Sequence, residues 1–96
     1  MSAYVIAEIE VVDPDGYEKY RPLANESITR HGGRFVARGG PTRVFEGEWL
    51  SRIVVIEFDS LDAAQAWYSS DDYQAAAAVR QESSRGRIIA VEGVTP

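Results

Sequence analysis

Four short segments rich in β-branched residues, separated by two helix-like stretches, constrain most strongly how this chain can fold. The clearest is Arg52–Phe58, and the first is residues 4–12, whose odd positions are all apolar. The other two are Arg34–Arg38 and residues 87–92. Segments of this length and composition are typical of strands rather than of isolated helices. The chain is therefore predicted to alternate as β-α-β-β-α-β.

The first helix-like stretch has its own start and stop signals. Asp13 and Pro14 combine an N-cap acceptor with a proline at the first helical position. Apolar side chains then recur at spacings of three and four residues, up to a stop at Gly32 and Gly33. Pro22 interrupts the hydrogen-bond ladder, so it is expected to kink the helix or to divide it.

The remaining segments are delimited by serines, glycines and prolines. Ser60 is predicted to cap a second helix, and residues 69–72 resemble a fresh cap that starts a further helical piece, which ends at residues 84–86. Glycines and a proline at 39–41 form a turn, and residues 42–46 are predicted to continue the second strand after a bend or bulge. The tail after Gly93 is expected to fray.

This order of elements is the split βαβ arrangement of ferredoxin-like α+β folds. It implies one domain over residues 1–96, with a four-stranded antiparallel sheet in the order 4-1-3-2 and two helices on one face. The other face would expose more apolar area than a solvated sheet face normally does, and no further element is left to cover it. We therefore predict a homodimer, a dimeric α+β barrel in which two sheets face each other. The side chains predicted on that face include Ile6, Val36, Ile53, Val55 and Ile89.

Composition excludes several classes of function. Fifteen acidic and ten basic residues give a net charge of -5, which disfavours binding to nucleic acid. No apolar run is long enough to span a membrane, and the N-terminus lacks the basic region of a signal peptide. The chain has no cysteine and one histidine, so no metal-ligand set is recognisable, and the lack of thiols fits a cytoplasmic location.

Several short segments, taken in order, resemble the DUF1330 family from residue 4 to about residue 93. The resemblance implies a dimeric α+β barrel, the fold shared by cofactor-free monooxygenases, muconolactone isomerases and several haem or chlorite enzymes. It implies no reaction, since the family is one of unknown function and relatives by fold do different chemistry. The segments that carry it are residues 34–40, 45–49, 52–58, 66–68 with 73–74, and Arg80.

Charged residues within strands are the first candidates for chemistry. Alternation along the strands places Glu8, Arg38 and Glu57 on the same face, if no bulge intervenes. Buried charges are costly unless they are paired, so these residues have either partners or a ligand. In one interpretation Arg38 binds a carboxylate or enolate and Glu57 acts as a base. In the other they form a structural Arg–Glu pair.

Other candidates lie on helices and loops. His31 is either a proton shuttle or haem ligand, or a helix C-terminal residue that interacts with exposed carbonyls, and its place before Gly32 favours the latter. Trp49, with Glu46 in the same loop, lines a pocket mouth or anchors a dimer. Tyr73 and Arg80 share one helical face and are pocket candidates, because the family pattern includes both. The other helix aromatics (Tyr17, Tyr20 and Trp67) are assigned to the core.

Two hypotheses of different kinds follow. The first is a small-molecule pocket between sheet and helices, in a cofactor-free enzyme that acts on a small acidic or enolisable carbonyl compound. The second is a non-catalytic dimeric binding or regulatory module whose charges are structural. A haem-binding variant is a third option. No P-loop, dinucleotide fingerprint, nucleophile elbow or zinc-protease motif is present to decide among them.

Overall fold

The computed structural model describes residues 1–94, and it contains four strands and three helices within that range. The order of elements confirms the predicted β-α-β-β-α-β arrangement, with the second helical segment in two pieces. The elements are β1 (Ala3–Val11), α1 (Pro14–Arg30), β2 (Arg34–Arg38), β3 (Arg52–Phe58), α2 (Leu61–Ser69), α3 (Asp71–Ser83) and β4 (Ser84–Glu92).

The four strands form one antiparallel sheet in the order β2-β3-β1-β4, as predicted. Register aligns the apolar odd residues of β1 with alternate residues of β3, so that Val5 lies opposite Ile56 and Ala7 opposite Val54. These side chains are buried beneath the helices. The sheet therefore has one helix-covered face and one open face.

Helix α1 starts and ends where the sequence indicates. Asp13 occupies the N-cap position, although its side chain makes no capping hydrogen bond. Gly32 adopts a φ of +78°, a conformation that favours glycine, and the Gly33 amide donates to the Ile28 carbonyl at 2.8 Å. The helix is continuous from Pro14 to Arg30, so Pro22 does not divide it.

Ser60 and Ser70 set the starts of α2 and α3. The Ser60 hydroxyl accepts a hydrogen bond from the Ala63 amide at 3.0 Å, and the Ser70 hydroxyl accepts one from the Tyr73 amide at 3.3 Å. Beneath α2, the indole nitrogen of Trp67 donates to the buried Ser27 hydroxyl of α1 at 3.1 Å. These contacts fix both helical pieces against α1 and the sheet.

The second strand corrects two predictions. It ends at Arg38, and residues 42–46 are exposed and lie outside the sheet, so the predicted continuation is wrong. Gly39 has a φ of +70°, which turns the chain, and Pro41 lacks the amide hydrogen that a strand needs. A bulge between Phe35 and Ala37 also shifts the alternation, so Arg38 lies on the helix-covered face.

The open face carries a central row of apolar residues. Ile6 of β1 lies opposite Val55 of β3 on one side and Ile89 of β4 on the other, and Ile89 is 65% exposed. No helix among the described residues has the length and apolar character needed to cross a membrane. Of the tail after Gly93, residue 94 is exposed and residues 95–96 lie outside the described range.

Candidate functional site

A cavity of about 230 Å³ lies between α1, α3 and the helix-covered face of the sheet. Its volume is below the range of roughly 300–1,000 Å³ that is usual for drug-sized ligands, so it suits a small molecule. Aliphatic and aromatic side chains make up most of its wall. The lining comprises Ala7, Ile9, Tyr17, Tyr20, Arg21, Ala24, Asn25, Ile28, Phe35, Arg38, Arg52, Val54, Ile56, Trp67, Tyr73, Arg80 and Ile88.

The charged groups in this lining are all of one sign. It contains four arginines (Arg21, Arg38, Arg52 and Arg80) and, among the described residues, no aspartate, glutamate or histidine. This is unusual in a chain with a net charge of -5. Arg21 is paired with Glu18 at 3.4 Å, but the other three arginines have no carboxylate partner among residues 1–94, so the cavity carries excess positive charge.

Two of the arginines are incompletely satisfied. The Nε atoms of Arg52 and Arg80 are buried, and neither has a hydrogen-bond partner among the described residues. Arg80 is only 8% exposed. Burial opposes its charge, but interactions with Tyr73 and then Tyr20 outweigh this effect and raise the pKa of Arg80, so the guanidinium stays ionised. Buried charged donors of this kind normally have an acceptor.

A pair of tyrosine hydroxyls lies beside Arg80. The hydroxyl oxygens of Tyr20 (α1) and Tyr73 (α3) are 2.9 Å apart. Tyr73 is fully buried. Burial and the neighbouring Tyr73 raise the pKa of Tyr20, so this hydroxyl remains a donor at any physiological pH.

Three of the predicted site residues meet in this cavity: Arg38, Tyr73 and Arg80. The bulge in β2 brings Arg38 to the cavity face, where its guanidinium carbon lies 4.5 Å from the centre of the Phe35 ring. Arg38 is therefore on the opposite face of the sheet from Glu8 and Glu57, which corrects the shared face predicted for the three.

Glu8 and Glu57 have other arginine partners on the open face. Glu8 is buried and lies 3.3 Å from Arg87 of β4, whereas Glu57 lies 3.1 Å from Arg34 of β2. A hydrogen bond from Ser2, followed by that from Arg34, holds the pKa of Glu57 below its usual value. Both carboxylates are thus in ion pairs outside the cavity.

His31 occupies the C-cap position of α1, outside the cavity. Its Nε2 atom lies 3.3 Å from Asp72, whose other oxygen is 2.6 Å from Arg30. Hydrogen bonds from Ser70 first, and then from His31 and Arg30, lower the pKa of Asp72 to about 2. This cluster links the end of α1 to the start of α3.

Trp49 and Glu46 lie in the exposed loop between β2 and β3. The indole nitrogen of Trp49 donates to the Glu46 carbonyl at 2.9 Å. Both residues line a shallow surface depression together with Phe45, which is 87% exposed. Trp49 and Glu46 are not part of the arginine-lined cavity of this chain.

Sequence reasoning missed Arg52 and assigned Tyr17 and Tyr20 only to the core. Arg52 lies directly opposite the core residue Ile9, so register places its side chain on the helix-covered face. The available signal was a charged residue in phase with the buried positions Val54 and Ile56 of the same strand. No group of three or more potential metal ligands occurs among residues 1–94.

The four-stranded antiparallel sheet, with helices over one face and a cavity beneath them, defines a ferredoxin-like α+β protein. The sequence matches the DUF1330 family, a domain of unknown function, over residues 2–94. The chain belongs to this family. A comparison with curated proteins found no match.

Solved structures share the fold at low sequence identity. A protein of unknown function from Rhodopseudomonas palustris is 17% identical, with a TM-score of 0.76 over 99% of this chain and 84% of that one. A dimeric ferredoxin-like protein of unknown function from Jannaschia sp. CCS1 is also 17% identical, with a TM-score of 0.72 over 97% of this chain and 100% of that one. SnoaB, a cofactor-independent oxygenase from Streptomyces nogalater, is 12% identical, with a TM-score of 0.70 over 99% of this chain and 95% of that one.

Proposed function

We propose that this protein binds a small organic anion, a carboxylate or an enolate, in the cavity between α1, α3 and the sheet. The observation that carries the proposal is that Arg38, Arg52 and Arg80 line the cavity with no carboxylate beside them among residues 1–94. A carboxylate would satisfy the donors of these arginines and neutralise the charge, and guanidinium groups match its geometry. The apolar wall would hold the body of the ligand.

Thermal denaturation with small carboxylates tests this proposal. At a hundred times its dissociation constant, a ligand stabilises the folded state by about 2.7 kcal/mol. We expect benzoate or 4-hydroxybenzoate to raise Tm, and Arg52→Met to abolish the rise. Arg43→Met is the matched control, because Arg43 lies in the exposed loop outside the cavity. No stabilisation of the wild-type protein, or equal effects of both substitutions, would contradict the proposal.

A cofactor-free enzyme is a second candidate, and the hydroxyl pair of Tyr20 and Tyr73 beside Arg80 favours it. These donors would stabilise the oxyanion of an enolising substrate. SnoaB, which has the same fold, is described as a cofactor-independent oxygenase. Among residues 1–94 the lining supplies no carboxylate or imidazole as a base, and this favours binding without turnover.

Deuterium exchange separates the two candidates. Enolisation of 2-oxobutyrate in heavy water would introduce deuterium at its third carbon, which proton NMR detects. Exchange that the protein accelerates, and that Tyr20→Phe slows, would support the enzyme. Binding of the keto acid without accelerated exchange would support a binding or regulatory module.

We also propose that the protein is a homodimer, in the cytoplasm, formed through the open sheet face. The central apolar row of Ile6, Val55 and Ile89 supports this assembly, as do fold relatives described as dimeric. Sedimentation equilibrium should give a dimer for the wild type and a monomer for Ile89→Glu. Leu23→Glu, at an exposed position of α1 on the other side of the sheet, should remain dimeric. A wild-type monomer at micromolar concentration would refute the dimer.

A further inference from the structure

Apart from Asn25 and from Arg21, which is paired with Glu18, we group the main polar side chains of the cavity into two sets. The first set, the strand-end arginines, consists of Arg38 at the end of β2 and Arg52 at the start of β3. The Arg52 guanidinium packs so closely against Gly39, the residue after Arg38, that a side chain at Gly39 would collide with it. Both arginines therefore line the cavity at the same end of the β2–β3 pair.

The second set, the helix-side donors, consists of Arg80, Tyr20 and Tyr73. Only one hydrogen can lie between the two hydroxyl oxygens, which are 2.9 Å apart, so the hydrogen of the accepting hydroxyl remains available. Arg80 adds a guanidinium that is only 8% exposed. This set therefore offers hydrogen-bond donors from α1 and α3.

The ring of Tyr17 lies next to one member of each set. Its centre lies 5.8 Å from the guanidinium carbon of Arg52 and 5.3 Å from the centre of the Tyr20 ring. Beneath it the sheet contributes apolar side chains, including Ala7, Ile9 and Val54. A ligand that reaches both sets must carry its polar groups apart, on an apolar body.

We propose that the ligand has two oxygen functions, a carboxylate bound by the strand-end arginines and a hydroxyl, carbonyl or enolate oxygen bound by the helix-side donors, joined by a short flat apolar body. Each set contributes at least one guanidinium to a lining that holds no carboxylate among residues 1–94, so a ligand with one oxygen function would leave the charge of the other set without a partner. The two guanidinium groups at the sheet edge match a full carboxylate charge. The single guanidinium and the hydroxyl pair match an oxygen that carries less charge. This inference rests on the proposed function and specifies its ligand class.

Three probes of similar size test the two-set arrangement by isothermal titration calorimetry. 4-Hydroxybenzoate carries both functions, benzoate carries only the carboxylate, and 4-methylphenol carries only the hydroxyl. We expect 4-hydroxybenzoate to bind at least fivefold more tightly than benzoate, and 4-methylphenol to bind more weakly than either.

Two substitutions assign the sets. Tyr20→Phe removes one hydroxyl and keeps the ring, so it should reduce the advantage of 4-hydroxybenzoate over benzoate at least twofold, while the affinity for benzoate changes less than twofold. Arg52→Met should weaken both carboxylates at least tenfold, whereas Arg43→Met should change neither. The circular dichroism spectrum and Tm of each variant establish that it is folded before titration.

The possible failures are distinguishable. Equal wild-type affinities for benzoate and 4-hydroxybenzoate, both lost in Arg52→Met, would overturn the two-set ligand and leave the proposed anion site intact. An equal effect of Tyr20→Phe on the two carboxylates would overturn it as well. Failure of both carboxylates to bind the wild-type protein would overturn the proposed function itself.

Discussion

Replacing Arg80 with methionine should not destabilise the ligand-free protein, although the side chain is buried. Methionine keeps a long unbranched chain and removes the guanidinium, whose Nε has no acceptor. An unsatisfied buried donor costs about 1–3 kcal/mol. Buried charged groups replaced by apolar residues of similar volume are often neutral or stabilising. Loss of the interaction with Tyr73 offsets part of this gain. We therefore expect the free energy of unfolding to rise by between zero and about 2 kcal/mol.

Urea denaturation followed by circular dichroism measures this difference, and thermal denaturation checks it. In a domain of 60–100 residues, 1 kcal/mol shifts Tm by about 4–8 °C. The same variant should reduce the stabilisation that 4-hydroxybenzoate gives the wild type, whereas stabilisation by benzoate should change little, because Arg80 belongs to the helix-side donors. Arg85→Met is a suitable control, because its exposed pair with Glu10 at 2.7 Å lies outside the cavity and should matter little to stability or binding.

A structural role for Arg80 leads to the opposite result. If the guanidinium held α3 in place, removing it would cost about 3–5 kcal/mol, as for a buried ion pair that loses one partner. A loss of more than about 2 kcal/mol in Arg80→Met would therefore refute our reasoning about the cavity. Unchanged stabilisation of the variant by 4-hydroxybenzoate would also refute it.

Three further predictions concern the framework around the cavity. In the folded protein the pKa of Asp72 is about 2, below its usual 3.8. The stabilising contribution of this carboxylate is therefore present above pH 4 and disappears as the pH falls toward 2. Thermal denaturation should distinguish the wild type from Asp72→Asn above pH 4, but not at pH 2. Gly86→Ala should destabilise the protein by about 1–3 kcal/mol in urea denaturation, because the added carbon would collide with the β1 backbone. Gly40→Ala is the control and should be neutral, since Gly40 has open space around it. Ser27→Ala should cost about 1–3 kcal/mol and alter the fluorescence of Trp67, whose buried indole N–H would lose its acceptor; unchanged stability would show that this hydrogen bond is dispensable.

Alternation and helix signals were sufficient to predict the fold. The odd positions of β1 and the Ser60 cap are local features, and the structure confirms both. The prediction was wrong at residues 42–46, where β-branched residues suggested a strand but the preceding glycines and proline turn the chain out of the sheet. Local composition does not determine whether a segment has a partner strand.

The site was harder to predict, because it depends on register. A one-residue bulge places Arg38 on the cavity face. The ion pair of Glu8 depends on the pairing of β1 with β4, and that of Glu57 depends on the pairing of β2 with β3. Arg52 shares a face with core residues for the same reason. Tyr73 and Arg80 were found through the family pattern, which does not depend on register.

The central claim is that Arg52 and Arg80 bind the ligand in the cavity through their guanidinium groups, whose Nε–H groups report the binding. In an NMR spectrum of the ¹⁵N-labelled protein, these groups give resonances that Arg52→Met and Arg80→Met assign by their disappearance. During titration with 4-hydroxybenzoate, both resonances should shift and should saturate with one common dissociation constant. If the ligand binds and neither resonance moves, or if only the resonances of exposed arginines move, the cavity is not the anion site.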